Sequence, residues 1–469
     1  MTTLFSTVSK QQKDEIMATG DSKNPEKPER NGNGNGVHAG EPKTPLKFLF
    51  VSWEGWSGDV AWRVKQEGHE VKFYIKNPTD DDVYDGFFEK VPRWEDHKDW
   101  ADVVVFDDSG FGKFSDPLRK AGKPVIGGSE YTDRLEEDRE FGQEEMERVG
   151  MQVLPHWDFT DYDEAIAFIR ANPGRYVFKP SGSITAEHKG ILFIGEEETG
   201  NDLAEVLEHN KKTWSRKIKK FQLQKYAYGV EVAVGAFFNG KDFIHPINVN
   251  FEHKKLFPGD IGPSTPEMGT LMYWSEPNKI FKMTLEKMRG SLADSGYVGY
   301  IDINCVANNN GIYPLEFTAR FGYPTISIQL EGILTPLAEW FLKIARGEQF
   351  ELRTKKGFQV GVVVAVPPFP YRDRSAFDIY KDSSVIFKGP NREGVHLGEV
   401  KFADGDWHLA GQSGYALVVT GSGTAVAEAR KMAYNRIDNI VIQNMFYRTD
   451  IGIRWNTDSD RLQSWGYLY

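Results

Sequence analysis

The sequence predicts a chain of mixed α/β and α+β architecture. An N-terminal doubly wound α/β domain precedes a central domain of paired strands and a C-terminal β-rich domain. Three observations predict this order: continuous apolar strands alternate with helices over residues 46–130, strand pairs joined by polar turns follow over 131–350, and segments rich in Val, Phe and Gly dominate 357–455. The length of 469 residues suits roughly two to four domains.

Residues 1–45 predict a disordered tail. The stretch from Lys10 to Lys43 is polar, and an Asn-Gly repeat at residues 31–36 is surrounded by prolines. Such a stretch buries too little apolar surface to offset the entropy lost on ordering its backbone. A second short tail is expected over residues 456–469. Its aromatic side chains either pack on the preceding domain, which we expect, or form an interface.

The first ordered residues start a regular alternation of strands and helices. Phe48–Val51 predicts a buried strand, and Asp59 is placed to cap a helix that ends near Glu67. Val71–Ile75 and Val103–Phe106 predict further strands. Apolar runs of this kind are typical of a parallel sheet covered on both faces. The turn after the first strand lacks the Gly-x-Gly-x-x-Gly pattern, so a dinucleotide site there has little support.

Composition excludes several classes of protein. The chain carries 57 Lys and Arg against 68 Asp and Glu, a formal charge of −11, whereas a general nucleic-acid binder shows a basic footprint. Cys305 is the single cysteine, which excludes an intrachain disulfide and a cysteine-built zinc site and favours a reducing, cytoplasmic location. No apolar run approaches the roughly 18–20 residues of a membrane span. The sequence gives no indication of the oligomeric state.

Two lysines near the mouth of a predicted hairpin form the first candidate site. Lys179 lies at the end of an apolar strand, a loop of small residues follows, and Lys189 precedes the strand at Ile191–Ile194. Small residues let backbone N–H groups approach phosphate oxygens, and a lysine adds a point charge. An ordinary hairpin with solvated lysines explains the same pattern and is favoured on this segment alone.

The segment from Gln224 to Glu231 is the second candidate. Extended backbone there can read the edge of an adenine base, and the carboxylate seven positions after Gln224 can accept hydrogen bonds from two ribose hydroxyls. A strand, a turn and a second strand with a surface glutamate account for the pattern as well. Taken by itself, this motif is weak.

Asp302 and Glu316 form the strongest candidate pair. They lie on two predicted strands joined by the Asn-rich turn at residues 308–311, so antiparallel pairing brings their carboxylates together. Two carboxylates in one place favour a divalent cation, and Mg²⁺ is the oxygen-seeking ion that accompanies phosphates. Arg320 adds positive charge for a phosphoryl group in transfer. The simpler alternative is that the two carboxylates lie on a solvent-exposed face of the sheet and bind no ion.

A loop rich in Gly and Pro follows the segment Glu252–Lys255. Residues 259–269 carry too few apolar side chains to contribute to a hydrophobic core. This composition indicates a binding loop or a lid. His253 is about as consistent with a structural hydrogen bond as with a ligand role. Cys305 lies among apolar strand residues, which predicts an inert buried thiol.

Placed in order, these segments resemble phosphoribosylamine–glycine ligase, a family of the ATP-grasp superfamily. The stretch Glu252–Gly269 is similar to the family's Asp-His-Lys-Arg and Gly-Asp-Thr-Gly-Pro-Asn-Thr-Gly-Gly-Met-Gly motifs, and Glu316–Gly322 resembles its Glu-Phe-Asn-x-Arg-Phe-Gly. The final helix and the closing segment Tyr447–Gly452 match the family's Tyr-Arg-x-Asp-Ile-Gly ending. The likeness extends from Phe48 to about Arg454.

The resemblance implies two ATP-grasp subdomains that clamp ATP between the flanking domains, with ATP and Mg²⁺ or Mn²⁺ as cofactors. It implies an ADP-forming ligation of an amino-acid-like carboxylate to a small-molecule amine through an acyl phosphate, with no membrane and no nucleic acid as partner. The roles it implies are phosphate binding by Lys179 and Lys189, adenine binding by Gln224 and Lys225, ribose binding by Glu231, metal binding by Asp302, Glu316 and Thr318, and catalysis by Lys254 and Arg320.

This chain departs from the family where the acceptor substrates are expected to bind. The family's metal-binding Asn is Thr318, its Asp-Pro-Glu after Arg-Phe-Gly is Tyr323–Thr325, and its Gly-Gly before Met is Pro266–Glu267. Three hypotheses follow. The chain catalyses the purine reaction of glycine with 5-phosphoribosylamine, or it is a paralogue that joins another amino acid or amine in modified-nucleotide or secondary metabolism. As the third, it is an ATP-binding pseudoenzyme.

Overall fold

A parallel sheet of five strands forms the N-terminal part of the computed structural model, which describes residues 44–181 and 191–469. Its strands and helices are β1 (Lys47–Ser52), α1 (Gly58–Gln66), β2 (Glu70–Ile75), β3 (Glu89–Lys90), β4 (Val103–Phe106), α2 (Gly112–Lys120) and β5 (Val125–Ile126). The strand order is β3-β2-β1-β4-β5, and every pairing is parallel. The doubly wound domain is therefore confirmed. The predicted tail up to residue 43 and Lys189 lie outside the described residues.

Asp59 does not cap the first helix, contrary to the prediction. Helix α1 begins at Gly58, so Asp59 lies inside its first turn. The Asp59 carboxylate accepts a hydrogen bond from the Leu397 backbone N–H at 2.9 Å and contacts His396 Nδ1 at 2.7 Å. The local sequence predicts that the Asp59 side chain caps the helix. In the structure this side chain instead binds a segment more than 300 residues away in the chain.

The charged segment after β5 forms two short helices. These are α3 (Glu130–Glu137) and α4 (Arg139–Arg148). The break occurs at Asp138, whose carboxylate accepts a hydrogen bond from the Phe141 backbone N–H at 3.2 Å and so caps α4. This capping residue places Arg139 at the first position of α4.

A small four-stranded sheet follows, with a hydrophobic core of its own. Its elements are β6 (His156–Phe159), α5 (Tyr162–Ala171), β7 (Tyr176–Ser181), β8 (Phe193–Ile194), α6 (Asn201–Trp214) and β9 (Lys220–Lys225). The strand order β6-β9-β7-β8 is antiparallel throughout. Strand β7 therefore carries Lys179 next to β9, the strand that carries Gln224.

The largest sheet has eight antiparallel strands in the order β16-β15-β10-β11-β14-β17-β22-β19. These strands are β10 (Val230–Asn239), β11 (Phe243–Glu252), β14 (Gly269–Ser275), β15 (Val298–Asn308), β16 (Gly311–Thr318), β17 (Phe358–Ala365), β19 (Val395–Leu397) and β22 (Tyr415–Gly423). The hairpin β12 (Lys255–Phe257) and β13 (Ile261–Ser264) lies between β11 and β14. The sheet is continuous across the predicted boundary at residues 350–357, and the domain limits stay predictions.

The remaining elements cover this sheet or extend the C-terminal part. They are α7 (Lys279–Met283), α8 (Arg289–Asp294), α9 (Thr325–Gly332), α10 (Leu337–Ala345), α11 (Arg374–Phe377), β18 (Ser384–Phe387), β20 (Val400–Ala403), β21 (Asp406–Leu409), α12 (Val426–Ile437), β23 (Ile440–Val441) and α13 (Trp455–Ser464). The expected C-terminal tail is largely the helix α13. The Trp455 ring lies 5.2 Å from Phe251 and 5.0 Å from Phe358, so it packs on the sheet, and Tyr467 is buried, whereas Tyr469 is exposed. No helix in the described ranges is long and apolar enough to cross a membrane.

Candidate active site

The hairpin of β15 and β16 brings four oxygen-bearing side chains together. In its antiparallel register Asp302 pairs with Thr318 and Asn304 pairs with Glu316. Because alternate residues of a strand share a face, all four lie on one face, which we call the oxygen patch. The patch lines a cavity of about 270 Å³, called here the central cavity. The predicted meeting of Asp302 and Glu316 on one sheet face is present in the structure.

Asp302 is the most deeply buried member of the oxygen patch, with 2% of its surface exposed. Its Oδ1 atom has no hydrogen-bond partner within the described residues. Burial, and after it the neighbouring Glu252 carboxylate, raise the pKa of Asp302 to about 8. A buried carboxylate oxygen without a partner, beside an amide, a hydroxyl and a second carboxylate, is a donor set that fits a hard divalent cation such as Mg²⁺.

Lys254 joins Glu316 to the end of β11. Its Nζ atom lies 3.3 Å from Glu316 Oε1 and 3.4 Å from Glu252 Oε2. Lys254 is the main reason that the pKa of Glu316 falls to about 2. Burial alone would lower the pKa of Lys254, but the two carboxylates outweigh burial and the pKa is raised. Lys254 and Glu316 are therefore both charged at neutral pH.

Lys179 and Gln224 meet on the small sheet, as the sequence analysis places them. The Lys179 Nζ atom donates a 2.6 Å hydrogen bond to Gln224 Oε1. Lys179 is 7% exposed, and burial lowers its pKa to about 7, with a further contribution from the nearby Arg139 guanidinium. Its hydrogen-bond partner is a neutral amide and not a carboxylate, which suits this amine to an anionic ligand.

Arg139 is a site residue that the sequence analysis missed. It lines a second cavity of about 300 Å³, the phosphate-side cavity, together with Pro180 and Ser181 of β7. Burial lowers the pKa of Arg139, and the Glu316 carboxylate is the main charge that opposes this effect. The only signal in the sequence was a basic residue directly after the helix cap Asp138, which a charged helix surface explains equally well.

The structure does not bring the other residues that were predicted to bind the nucleotide as close together. Lys225 lies on the opposite face of β9 from Gln224, with its Nζ atom 5.0 Å from the Tyr176 ring. Glu231 is exposed near the start of β10. Lys189 lies outside the described residues. The adenine and ribose roles of these residues stay predictions.

Arg320 connects the oxygen patch to the N-terminal part of the chain. Its Nε atom lies 2.9 Å from both Asp108 Oδ1 and Glu136 Oε1. Burial opposes the charge on Arg320, but Glu136 and Asp108 outweigh burial and raise its pKa. Arg320 lines both cavities, as do Glu316 and Thr318. These three residues therefore stand at the junction of the central and phosphate-side cavities.

Three aromatic rings close the far side of the central cavity. The Trp56 ring lies 5.5 Å from the Tyr323 ring and 5.5 Å from the Tyr415 ring, measured between centroids. Glu267 lines the same cavity, is 6% exposed, and accepts a hydrogen bond from the Thr270 hydroxyl. Burial raises the pKa of Glu267, and Glu252 raises it further. We call Trp56, Tyr323, Tyr415 and Glu267 the aromatic end of the cavity.

The loop that follows β11 is anchored to the C-terminal segment. His253 is 1% exposed, and its Nε2 atom accepts a 3.4 Å hydrogen bond from the Gly452 backbone N–H. Burial lowers the pKa of His253 to about 4, which fits the structural alternative for this residue. Arg448 ties Asp260 to the chain end through ion pairs of 2.9 Å to Asp260 and 2.7 Å to Asp450. The lid role of this loop stays a prediction.

Comparison with known proteins defines the class of the chain first. The family model for the phosphoribosylglycinamide synthetase ATP-grasp (A) domain matches residues 137–326, and that for the C domain of the same synthetase matches residues 359–454. The chain is therefore an ATP-grasp protein. Because the two models together cover more than half of its length, it belongs to the phosphoribosylglycinamide synthetase family.

Individual relatives agree with this assignment. Phosphoribosylamine–glycine ligase from Streptococcus pneumoniae is 27% identical over 431 residues, which cover 87% of this chain and 99% of that protein. The ligase from Streptomyces coelicolor is 27% identical over 353 residues, covering 72% and 80%. Two solved structures share the fold. Phosphoribosylamine–glycine ligase from Thermotoga maritima has a TM-score of 0.65 at 21% identity, covering 87% of this chain and 100% of that chain. Biotin carboxylase from Campylobacter jejuni has a TM-score of 0.59 at 13% identity, covering 90% and 98%.

Proposed function

We propose that this chain is an ATP-dependent ligase that joins an amino-acid-like carboxylate to an amine and releases ADP and phosphate. The observation that carries the proposal is the oxygen patch at the junction of two cavities, one of which also holds Arg139. Family membership supports C–N bond formation with ATP and Mg²⁺ or Mn²⁺. The single cysteine supports a cytoplasmic location.

The chemistry proceeds in two transfers. An oxygen of the substrate carboxylate attacks the γ-phosphorus of ATP, the bond from that phosphorus to the β–γ bridging oxygen breaks, and ADP leaves. The product is an acyl phosphate. The nitrogen of a neutral amine then attacks the acyl carbon, the bond from carbon to the phosphate oxygen breaks, and the surplus proton leaves with phosphate. Positioning and charge stabilisation are sufficient, so no Ser or Cys nucleophile is needed.

The described residues divide this work by position. Lys179 and Arg139 bear positive charge on the phosphate side, and we assign them to the phosphate groups of ATP. Asp302, Asn304, Glu316 and Thr318 would hold a divalent ion, which neutralises phosphate charge during transfer. Lys254 keeps Glu316 ionised, and we assign Lys254 to the transferring phosphoryl group. Arg320 is held by Asp108 and Glu136, and we assign it, with Lys254, to the phosphoryl group in transfer.

The identity of the two substrates is part of the proposal. The named relatives are ligases of phosphoribosylamine and glycine, and that pair, the purine-biosynthetic reaction, is one candidate for this chain. The departures at Tyr323, Thr325 and Glu267 favour the paralogue hypothesis, in which a different amine or amino acid is used.

The test is ADP release from ATP and Mg²⁺ with amino acids crossed against amines, including phosphoribosylamine generated in situ. We expect ADP to form only when both a carboxylate and an amine are present. Glu316→Gln should lower kcat by about 100-fold or more. Glu276→Gln, an exposed carboxylate away from both cavities, should leave kcat unchanged. ATP binding without ADP release for every pair would instead establish the pseudoenzyme hypothesis.

A further inference from the structure

We infer that the acceptor of this ligase is an unphosphorylated primary amine that enters as an ammonium ion and binds at the aromatic end of the central cavity. The inference rests on the proposed ligase function. It concerns the half of the site in which this chain differs from its relatives, and three observations carry it: the balance of charged groups in the cavity, the blocked helix terminus beside it, and the ring walls.

Acidic groups outnumber basic groups around the central cavity. The described lining contains two cations, Lys254 and Arg320. Each of them already contacts two carboxylates, Glu252 and Glu316 for Lys254, and Asp108 and Glu136 for Arg320. The carboxylates that line the cavity are Asp108, Glu252, Glu267, Asp302 and Glu316. A second phosphate dianion beside that of ATP would find no cation in this described lining that is free of carboxylate partners.

The helix terminus that could bind a phosphate by its backbone is occupied. In an open α/β sheet, ligands bind where the strand order reverses, which here is between β1 and β4. At this point Asp107 Oδ2 accepts a 2.9 Å hydrogen bond from the Ser57 backbone N–H, directly before α1. The Tyr84 ring covers Gly58, where an added Cβ atom would lie 2.0 Å from the ring. A carboxylate and an aromatic ring of the protein fill the place of an anionic ligand.

The aromatic end has the composition of an ammonium site. Glu267 is buried, and the described residues give its carboxylate a hydrogen bond from Thr270 but no ion pair. The rings of Trp56, Tyr323 and Tyr415 line this space. Two of them already lie near a cation, since the Arg372 guanidinium is 5.9 Å from the Trp56 ring and the Arg320 guanidinium is 6.0 Å from the Tyr323 ring. Ammonium ions bind to such rings and to desolvated carboxylates, and a phosphate binds to neither.

Charge can therefore distinguish the acceptor from the nucleotide. The ammonium ion is attracted to Glu267, whereas the triphosphate is attracted to Lys179 and Arg139 beyond the oxygen patch. The bound ammonium loses one proton to a cavity carboxylate, which becomes a carboxylic acid, and the neutral nitrogen is then free to attack the acyl carbon. The amine thus arrives on the opposite side of the patch from the phosphates.

The experiment measures ADP release with one amino acid at a time and two sets of amines. The unphosphorylated set contains methylamine, 1,2-diaminoethane and glycinamide, and the phosphorylated set contains phosphoribosylamine and phosphoethanolamine. We expect kcat/KM for the best unphosphorylated amine to exceed that for either phosphorylated amine by about tenfold or more. Preference for phosphoribosylamine would overturn the inference and leave the proposed ligation intact. No ADP with any amine would remove both.

Glu267→Gln tests the recognition separately from the substrate panel. It keeps the shape of the side chain and the acceptor for Thr270, so folding should be preserved and ATP binding by calorimetry should be unchanged. The KM for the preferred amine should rise by about tenfold, with the KM for ATP constant. Glu276→Gln is the matched control. An unchanged amine KM in Glu267→Gln, with an intact ATP site, would refute the assignment of Glu267.

Discussion

Glu316 and Glu267 are two glutamates on one cavity with opposite surroundings. Glu316 lies among Lys254, Arg139 and Lys179, and its pKa falls to about 2 because of the first of these. Glu267 is buried beside Glu252 and Asp302, and its pKa rises. The same side chain is thus held as an anion beside Lys254, whereas at the aromatic end the described residues give it no ion pair. This contrast underlies the proposal that one half of the site binds phosphate and the other half a positive group.

Lys179→Met should produce the largest effect among the variants that separate the two halves. Removing the ammonium group from the phosphate side should lower kcat/KM for ATP by about 100-fold, because a charge-assisted contact to phosphate is lost. The KM for the amine should change little. The control is Lys212→Met on the exposed surface of α6, which should keep wild-type rates. An equal loss for amine and ATP would show that the two halves are not independent.

The same lysine should give the reaction a pH dependence. The pKa of Lys179 is lowered to about 7, so its positive charge is present below pH 7 and is lost as the pH rises through 7 in the free enzyme. We expect the KM for ATP to increase above pH 7 in the wild type. In Lys179→Met this increase should disappear, which a pH series of initial rates would detect.

Trp56→Ala should have an intermediate effect confined to the aromatic end. Loss of the ring removes a cation–π wall and should raise the KM for an ammonium-bearing amine by about fivefold to tenfold, with the KM for ATP unchanged. Trp100→Ala is a suitable control, since that ring contacts Lys72 on the N-terminal sheet, at 4.7 Å. A change in the ATP parameters alone would contradict the division of the site.

Thr318→Asn should have the smallest effect. Asparagine is the residue that the family carries at this position, and the amide oxygen reaches farther than the hydroxyl. Because Asp302 and Asn304 already supply oxygens beside Glu316, we expect the Mg²⁺ concentration for half-maximal rate to fall by only about threefold or less. A restoration of activity from zero would instead show that Thr318 has disabled the wild-type protein.

Predictions from the sequence were most accurate where the candidate site residues lie on neighbouring strands. The apolar alternation of β15 and β16 and the Asn-rich turn between them were enough to place Asp302 and Glu316 on one face, because register in a hairpin depends on local residues. Family motifs added Lys254 and Arg320. Helix boundaries were less predictable: the break at Asp138 and the position of Asp59 inside α1 both depend on a single capping contact.

By itself the sequence determined the class of fold, the hairpin that carries the metal-type ligands and the position of Lys179, since each depends on residues close together in the chain. Tertiary structure alone decided which charges are paired. Arg320 meets Glu136 across 184 residues, and Trp56 meets Tyr415 across the whole central part of the chain. Electrostatic energy depends on distance in space and on burial, so the inference of an acceptor that binds as a cation rests on contacts that only folding creates.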